Sequence, residues 1–471
     1  MIGRLLDSRA AQAVHDEKSA SVDCIDDVDM RRVRREVVDL SAPALVEMIL
    51  VSFVGVVDMI MVGRIGPAAI AAVGLSNQPV LIALAVFQAL NVGTTALVAR
   101  LFGAGDFREA SETAQQSLLT SVLAGSIVSM ISYRVTPWVT AAMGAEPDSL
   151  PLGISYLRIV SIGIVFDAIS MCSASVLRGV GDTRTPMKIN VIANLVNCTG
   201  NYVLIYGKFG VPAYGVAGAA VATVASKVVS STLMLRVMLR KDSAIRLGPV
   251  RSFRLRVDLL RTVINIGIPA AVEQLVLRFG QLVYVGIVAG LGTKVLAAHQ
   301  IGMNILSLSF MPGQAFSIAA TTLVGQALGA GKPSAAEKCA LETRRLGMMV
   351  SGAMAVIFFF FGEWIARLYT NDLEVAHQTA MVLKIIGLVQ PAQSTQFILA
   401  GGLRGAGDTK WPLYSTFIGI WGVRVILGYL FAQVLHLGLF GAWLGMALDQ
   451  LTRSAVIFGR FKRGQWKTVT V

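Results

Sequence analysis

Leu177-Arg178-Gly179-Val180-Gly181-Asp182-Thr183 returns as Leu403-Arg404-Gly405-Ala406-Gly407-Asp408-Thr409, 226 residues later. The same offset, without a gap, pairs Pro43-Ala44-Leu45-Val46-Glu47 with Pro269-Ala270-Ala271-Val272-Glu273. It also pairs Gln88-Ala89 with Gln314-Ala315, Gly103-Ala104-Gly105 with Gly329-Ala330-Gly331, and Pro186 with Pro412. Shared composition does not hold one register over such a distance, so the chain is an internal duplication.

What is duplicated follows from composition. Hydrophobic residues make up 55% of the 471 and charged residues 15%, against about 25% charged in soluble domains. Such a chain cannot cover a soluble surface, and it is too apolar to be disordered. Apolar runs of about 20 residues are long enough to span a bilayer. Twelve occur, at 42–62, 69–99, 114–133, 153–177, 187–207, 212–236, 263–288, 295–325, 346–366, 378–402, 413–434 and 437–459. The expected fold is an all-α polytopic membrane protein with twelve transmembrane helices in two pseudo-symmetric six-helix bundles. Six spans per repeat is an even number, so both repeats enter the membrane in the same sense. Transporters with parallel repeats bind substrate near the bilayer midplane.

A formal net charge of +13 is also what a nucleic-acid footprint looks like, but its distribution argues otherwise. With the N-terminus inside, twenty-seven Lys and Arg fall in cytoplasmic segments and five (Arg64, Arg134, Lys208, Lys294, Arg367) on the opposite side. That asymmetry places both termini in the cytoplasm and accounts for the charge with no nucleic-acid partner. The expected organisation is a cytoplasmic N-terminal tail at 1–40, a first lobe at 41–236, a basic cytoplasmic linker at 237–262, a second lobe at 263–460 and a C-terminal tail at 461–471. No early apolar core with a small-residue cleavage site marks a signal peptide. The four cysteines, Cys24, Cys172, Cys198 and Cys339, share no metal or redox spacing, so buried inert thiols are expected.

Soluble catalytic signatures are missing: the sequence has no HExxH and no GxSxG. An enzyme is therefore not expected. Prenyl transfer needs clustered acids, and the adjacent pair Asp26-Asp27 lies in the tail. In the Arg-Gly-x-Gly-Asp-Thr loops, Gly ends one helix, Asp or Thr caps the next, and Arg is expected to bond exposed carbonyls.

Ionisable and amide residues inside the spans carry the functional signal, since a central charge costs roughly 2.5–3.5 kcal/mol on insertion scales. Glu47 and Glu273 recur in both halves near the cytoplasmic helix ends, as helix-end carboxylates or as substrate contacts. Asp58 lies in the outer half of the first span, and its repeat mate is Tyr284, so this acid is kept in one lobe only. Asn194, Asn197 and Asn201 form a polar stripe at helical spacing, as do Gln88, Asn91, Thr94 and Thr95, and Gln390, Gln393 and Gln396. Such stripes are interhelical glue or path-lining groups. Arg278, Lys384 and Arg424 are basic residues of the second half, with Glu273 and Asp449 as candidate partners, while Arg158, Asp167 and Lys227 stay unassigned. Candidates for the substrate path are Glu47, Gln88, Asn91, Glu273, Tyr284, Gln314 and Gln393.

Val57-Asp58-Met59-Ile60-Met61-Val62-Gly63-Arg64-Ile65-Gly66, Gly103-Ala104-Gly105-Asp106, the paired Arg-Gly-x-Gly-Asp-Thr loops and Gly215-Val216-Ala217-Gly218-Ala219-Ala220-Val221-Ala222-Thr223 together resemble the multidrug and toxic compound extrusion (MATE) transporters, nearest the DinF-like branch. The resemblance covers roughly 40–460. It implies two six-helix bundles forming a V. It also implies antiport by alternating access in the inner (plasma) membrane, with cationic or amphipathic compounds leaving as H+ or Na+ enters. No cofactor or metal beyond the coupling ion is implied, the partners are small molecules and the bilayer, and a monomer is expected. In the DinF-like branch the coupling acid stands where Asp58 stands, a nearby asparagine matches Asn197, and Thr223 matches a ligand position. Related members often carry a second acid where this chain has Asn201, which favours H+ over Na+ here, because hard cations select charged oxygen ligands. The role of the span-7 glutamate of the other branch is not carried to Glu273, which sits about a turn away. A flippase for lipid-linked saccharides, from the same superfamily, is the alternative.

Overall fold

The computed structural model describes residues 30–144, 146–240, 244–245 and 256–469. Twelve long helices follow one another: α1 (Met30–Gly63), α2 (Pro67–Gly103), α3 (Phe107–Ala142), α4 (Leu150–Gly179), α5 (Arg184–Tyr206), α6 (Gly215–Met238), α7 (Val257–Ala289), α8 (Thr293–Gly329), α9 (Pro333–Arg367), α10 (Leu373–Gly405), α11 (Lys410–Val434) and α12 (Gly438–Lys462). No strand occurs among the described residues. Each of the twelve apolar runs falls on one helix, so the expected all-α architecture is observed. Eight helices are long and apolar enough by themselves to cross a membrane. The other four are α5, α8, α10 and α12. Three of them carry polar groups at buried positions: Asn197 and Asn201 in α5, Gln390, Gln393 and Gln396 in α10, and Asp449 and Arg453 in α12. A helix enclosed by its neighbours need not present an apolar surface to lipid.

The helices fall into two compact units. In the first, α4 packs against α2, α3 and α6, and α5 against α6. In the second, α10 takes the corresponding central place against α8, α9 and α12. The register of the duplication is written into matching contacts. Thr95 Oγ1 donates to the Ser175 carbonyl at 3.1 Å, and its mate Thr321 donates to the Gly401 carbonyl at 2.9 Å. The loops after α4 and α10 turn on Gly181 (φ 85°) and Gly407 (φ 83°), a left-handed conformation that glycine adopts without steric cost. Asp182 then caps α5 by accepting from Thr185 N at 2.9 Å, as expected. Its mate Asp408 instead accepts from Arg460 Nε at 2.9 Å.

The lobe boundaries differ from those expected from sequence. The first unit is Val46–Gly267, and the second is Ile268–Val471 together with Ile25–Leu45, described from Met30. Residues 30–40, read above as tail, are the first turns of α1, and Val33, Val37 and Leu40 are buried in one cluster with Phe316, Ala319, Leu323 and Ile398. Conversely, the first turns of α7 belong to the first unit. A Cβ at Gly93 would lie 2.2 Å from the Val263 carbonyl oxygen, and one at Gly267 would lie 2.4 Å from that of Ala89. In both helices the division falls within two residues of a proline, Pro43 or Pro269, where a backbone hydrogen bond is missing. At the C-terminus Trp466 is fully buried and stacks on Phe461 at 4.8 Å, so the segment expected as a tail docks on the end of α12 through this ring. Cys24, Asp26-Asp27 and the linker cations Lys241, Arg246, Arg251 and Arg254 lie outside the described residues.

Candidate functional site

In the first lobe three helices converge on Asp58. It is half-buried on α1, and Asn201 on α5 donates from Nδ2 to its Oδ1 at 2.6 Å. Asn197, one helical turn earlier, is 4% exposed and Asn201 1%. Asn201 Nδ2 also reaches Asn197 Oδ1 at 3.2 Å, and Asn197 Nδ2 donates to Thr223 Oγ1 of α6 at 3.3 Å. The sequence-derived set Asp58, Asn197, Asn201 and Thr223 is thus one connected network.

The Asn197 amide has two meaningful orientations. Turned so that its nitrogen faces α1, it donates to Asp58 Oδ1 at 2.8 Å and Oδ2 at 3.2 Å. Turned the other way, two oxygens stand at these distances, which is attractive only if the carboxyl carries a proton. Turning the amide toward Asp58 gives the ionised carboxylate a second donor at the loss of the Asn201–Asn197 bond, because the two amide nitrogens then face each other at 3.2 Å. No Lys or Arg among the described residues pairs with Asp58. Below it, Tyr206 Oη donates to the Met61 carbonyl at 2.9 Å and fixes α5 against α1.

Other acids of the spans are ion-paired. Glu47 Oε1 accepts from Arg178 Nη2 and Asn190 Nδ2, both at 2.7 Å. Its mate Glu273 accepts from Arg404 Nη2 at 2.8 Å on both oxygens and from Thr416 Oγ1 at 3.1 Å. The loop arginines were expected to bond carbonyls; the contacts shown are instead to these carboxylates, tying α1 to α4 and α5, and α7 to α10 and α11. Lys227 pairs with Asp167 at 2.8 Å. Sequence reading left that pair unassigned and missed Asn190 and Thr416. Asparagine and threonine at equivalent repeat positions look unrelated until both are seen to serve the same glutamate.

The second lobe holds different chemistry at the place equivalent to the Asp58 network. Asp58, Asn197, Asn201 and Thr223 correspond to Tyr284, Val423, Leu427 and Asp449. Tyr284 is 2% exposed and donates to the Ala442 carbonyl at 2.5 Å. Asp449, fully buried, accepts from Arg424 Nε at 2.9 Å, and Arg453 Nε stands 3.8 Å from its other oxygen. Arg424 sits where α11 widens into a π-helical turn over Ile418–Val425, a local unwinding frequent at specialised sites. His299 is fully buried between the Tyr284 and Trp443 rings, at 5.8 and 5.5 Å.

The remaining path candidates scatter. Gln88 and Gln314, repeat mates, are exposed on their lobes, whereas Asn91 and Gln393 are buried. Gln393 Nε2 and Gln390 Nε2 have no hydrogen-bond partner.

Comparison with known proteins agrees with the repeat. The MatE family model matches residues 43–203 and again 269–430, starting twice at the offset read from the sequence. The probable multidrug resistance protein NorM of Thermotoga maritima is 31% identical over 93% of this chain and 94% of its own length. The multidrug resistance protein MdtK of Proteus mirabilis is 29% identical over 90% and 94%. Among solved structures, a MOP superfamily transporter from Pyrococcus furiosus superposes with a TM-score of 0.86 at 24% identity, covering 93% of this chain and 97% of that one. An outward-facing multidrug resistance MATE transporter gives the same score and coverage. Two matched segments in the repeat register, and a relative matched over nearly its whole length, place the chain in the MatE family: it is a MATE transporter, a multi-pass membrane protein rather than an enzyme.

Proposed function

We propose that this transporter exports cationic and amphipathic small molecules in exchange for protons, with Asp58 as the coupling group. One observation carries the reading. Glu47, Asp167, Glu273 and Asp449 each have a cationic partner, while Asp58 is held by neutral amides alone. A partly desolvated carboxylate without a counter-cation can take either a proton or a cationic substrate as its positive partner, so the two compete. Asn201 turns its nitrogen, not its oxygen, toward the acid, and Asn197 in its turned orientation does the same. Two donors aimed at the carboxylate leave few oxygens for Na+, which favours H+.

The inside-positive asymmetry supports both termini in the cytoplasm of a cell whose inner membrane holds the protein. Asp58 then lies nearer the outer face, where protons are taken up in a bacterium. One proton crossing about 150 mV yields roughly 3.5 kcal/mol, enough for a few-hundred-fold gradient of a neutral compound. Proteoliposomes with separately imposed H+ and Na+ gradients test the reading. A cationic dye is expected to move against the pH gradient in the wild type and not in Asp58→Asn. Dye movement driven by Na+ alone, or unchanged in Asp58→Asn, refutes it.

A further inference from the structure

We propose that the cytoplasmic end of α9 carries a binding site for an acidic phospholipid. Leu341, Arg344, Arg345, Met348 and Met349 line an open groove of about 390 Å³. Their spacing of three, four, seven and eight residues puts them on one face of the helix. The two arginines immediately precede the apolar run 346–366, at the height where a helix leaves the lipid headgroups. Naming the leaflet as cytoplasmic rests on the orientation proposed above; the binding does not.

The groove has a cationic head and an apolar foot. Arg344 is held in place, with Nε donating to Thr395 Oγ1 at 3.2 Å and its guanidinium 4.8 Å over the Phe458 ring. Arg345 has a 65% exposed side chain, and its carboxylate neighbour Glu342 is 3.9 Å away, beyond hydrogen-bond distance. Glu342 already accepts from Arg34 at 2.5 Å. Arg34 and Arg345 therefore share one carboxylate, and Arg344 has no acidic partner among the described residues. Toward the membrane interior Met349 is 65% exposed. A phosphate between Arg344 and Arg345, with its acyl chain along Met348 and Met349, satisfies both ends. A soluble phosphate leaves the methionines uncovered, and a zwitterionic lipid brings no net charge to the cations.

The fold itself does not require these arginines. In the first repeat the equivalent positions are Leu118 and Leu119, so an apolar pair suffices for packing there. The charge surplus also favours a lipid with two phosphates over one, because basic residues near a membrane surface each attract anionic lipid by a comparable increment.

Native mass spectrometry of the detergent-purified protein, titrated with cardiolipin, phosphatidylglycerol and phosphatidylcholine, tests the site. The wild type is expected to retain cardiolipin best and phosphatidylcholine least. Arg344→Gln/Arg345→Gln is expected to weaken cardiolipin binding about 30-fold, from two lost basic contacts. Met349→Gln leaves both arginines in place and adds no charge, and it is also expected to weaken the lipid. Equal cardiolipin retention by the arginine variant overturns the proposal, as does equal retention of phosphatidylcholine. Displacement of the lipid by millimolar inorganic phosphate, with Met349→Gln behaving as wild type, overturns it in favour of a simple anion site. The readout needs no drug export and no orientation, so a failed coupling assignment leaves it intact. The topology is checked separately by a reporter fused after Arg240.

Discussion

Glu47 and Arg178 lie 131 positions apart and meet at 2.7 Å, and Glu273 and Arg404, also 131 positions apart, meet at 2.8 Å. The duplication has preserved this ion pair as a unit, together with a third group, Asn190 or Thr416, on the next helix. Such conservation between repeats of one chain points to assembly of the lobe, since substrate contact has no reason to be the same on both sides.

Removing one partner of a buried pair costs about 3–5 kcal/mol, because the other is left charged and unpaired. Arg178 is 24% exposed on its side chain and Arg404 18%, so values at or below the low end of that range are expected. Glu47→Gln or Arg178→Leu should lower the thermal unfolding midpoint in detergent. The double variant Glu47→Gln/Arg178→Gln should recover much of the loss, which a path-lining role would not produce.

The same two loops give an asymmetric packing expectation. A Cβ at Gly405 would stand 2.2 Å from the Thr321 carbonyl oxygen, which cannot move without disturbing α8. At Gly179 the nearest atom is the Val98 Cγ1 at 2.9 Å, a side chain, with the Thr95 carbonyl at 3.2 Å. Overpacking costs typically about 1–3 kcal/mol. Gly405→Ala is expected to reach the upper part of that range and Gly179→Ala the lower. Expression level and unfolding midpoint, measured on both, would show equal effects if the loops were packed alike.

What the sequence made legible was whatever is encoded locally or by register. Each apolar run became a helix because about 20 consecutive apolar residues have few alternatives. The repeat made Tyr284 the mate of Asp58, and helical spacing put Asn197 and Asn201 on one face. The exchange of helix starts was not legible. Residues 30–40 look like a tail because Arg31, Arg32, Arg34 and Arg35 dominate their composition, while the three that bury the segment, Val33, Val37 and Leu40, are too sparse to read as a span. Lys227 with Asp167, and Glu47 with Asn190, were hidden for a different reason. Their partners are fixed by how helices dock, and no spacing within one helix reports that.

The last expectation concerns Asn201. Its Nδ2 bond to Asp58 at 2.6 Å is available to either form of the acid but is stronger to the ionised one, since hydrogen bonds to charged groups contribute about 1.5–3 kcal/mol against about 1 for neutral pairs. Asn201→Leu removes that donor and keeps the side-chain volume similar. The ionised form then loses more than the protonated form, so the acid holds its proton to higher pH. Proton release on the cytoplasmic side becomes harder, and the pH at which efflux is half-maximal should rise. A difference of about 1.4 kcal/mol moves it by about one pH unit. Thr223 bonds the Asn197 amide at 3.3 Å, and its hydroxyl can accept from the amide nitrogen or donate to the amide oxygen. Thr223→Val therefore selects neither orientation and should leave the half-maximal pH close to that of the wild type. Dye efflux from proteoliposomes across a range of internal pH reads both variants. An upward shift in Asn201→Leu alone is expected, whereas equal losses of rate at every pH would mean that the amides only pack the lobe.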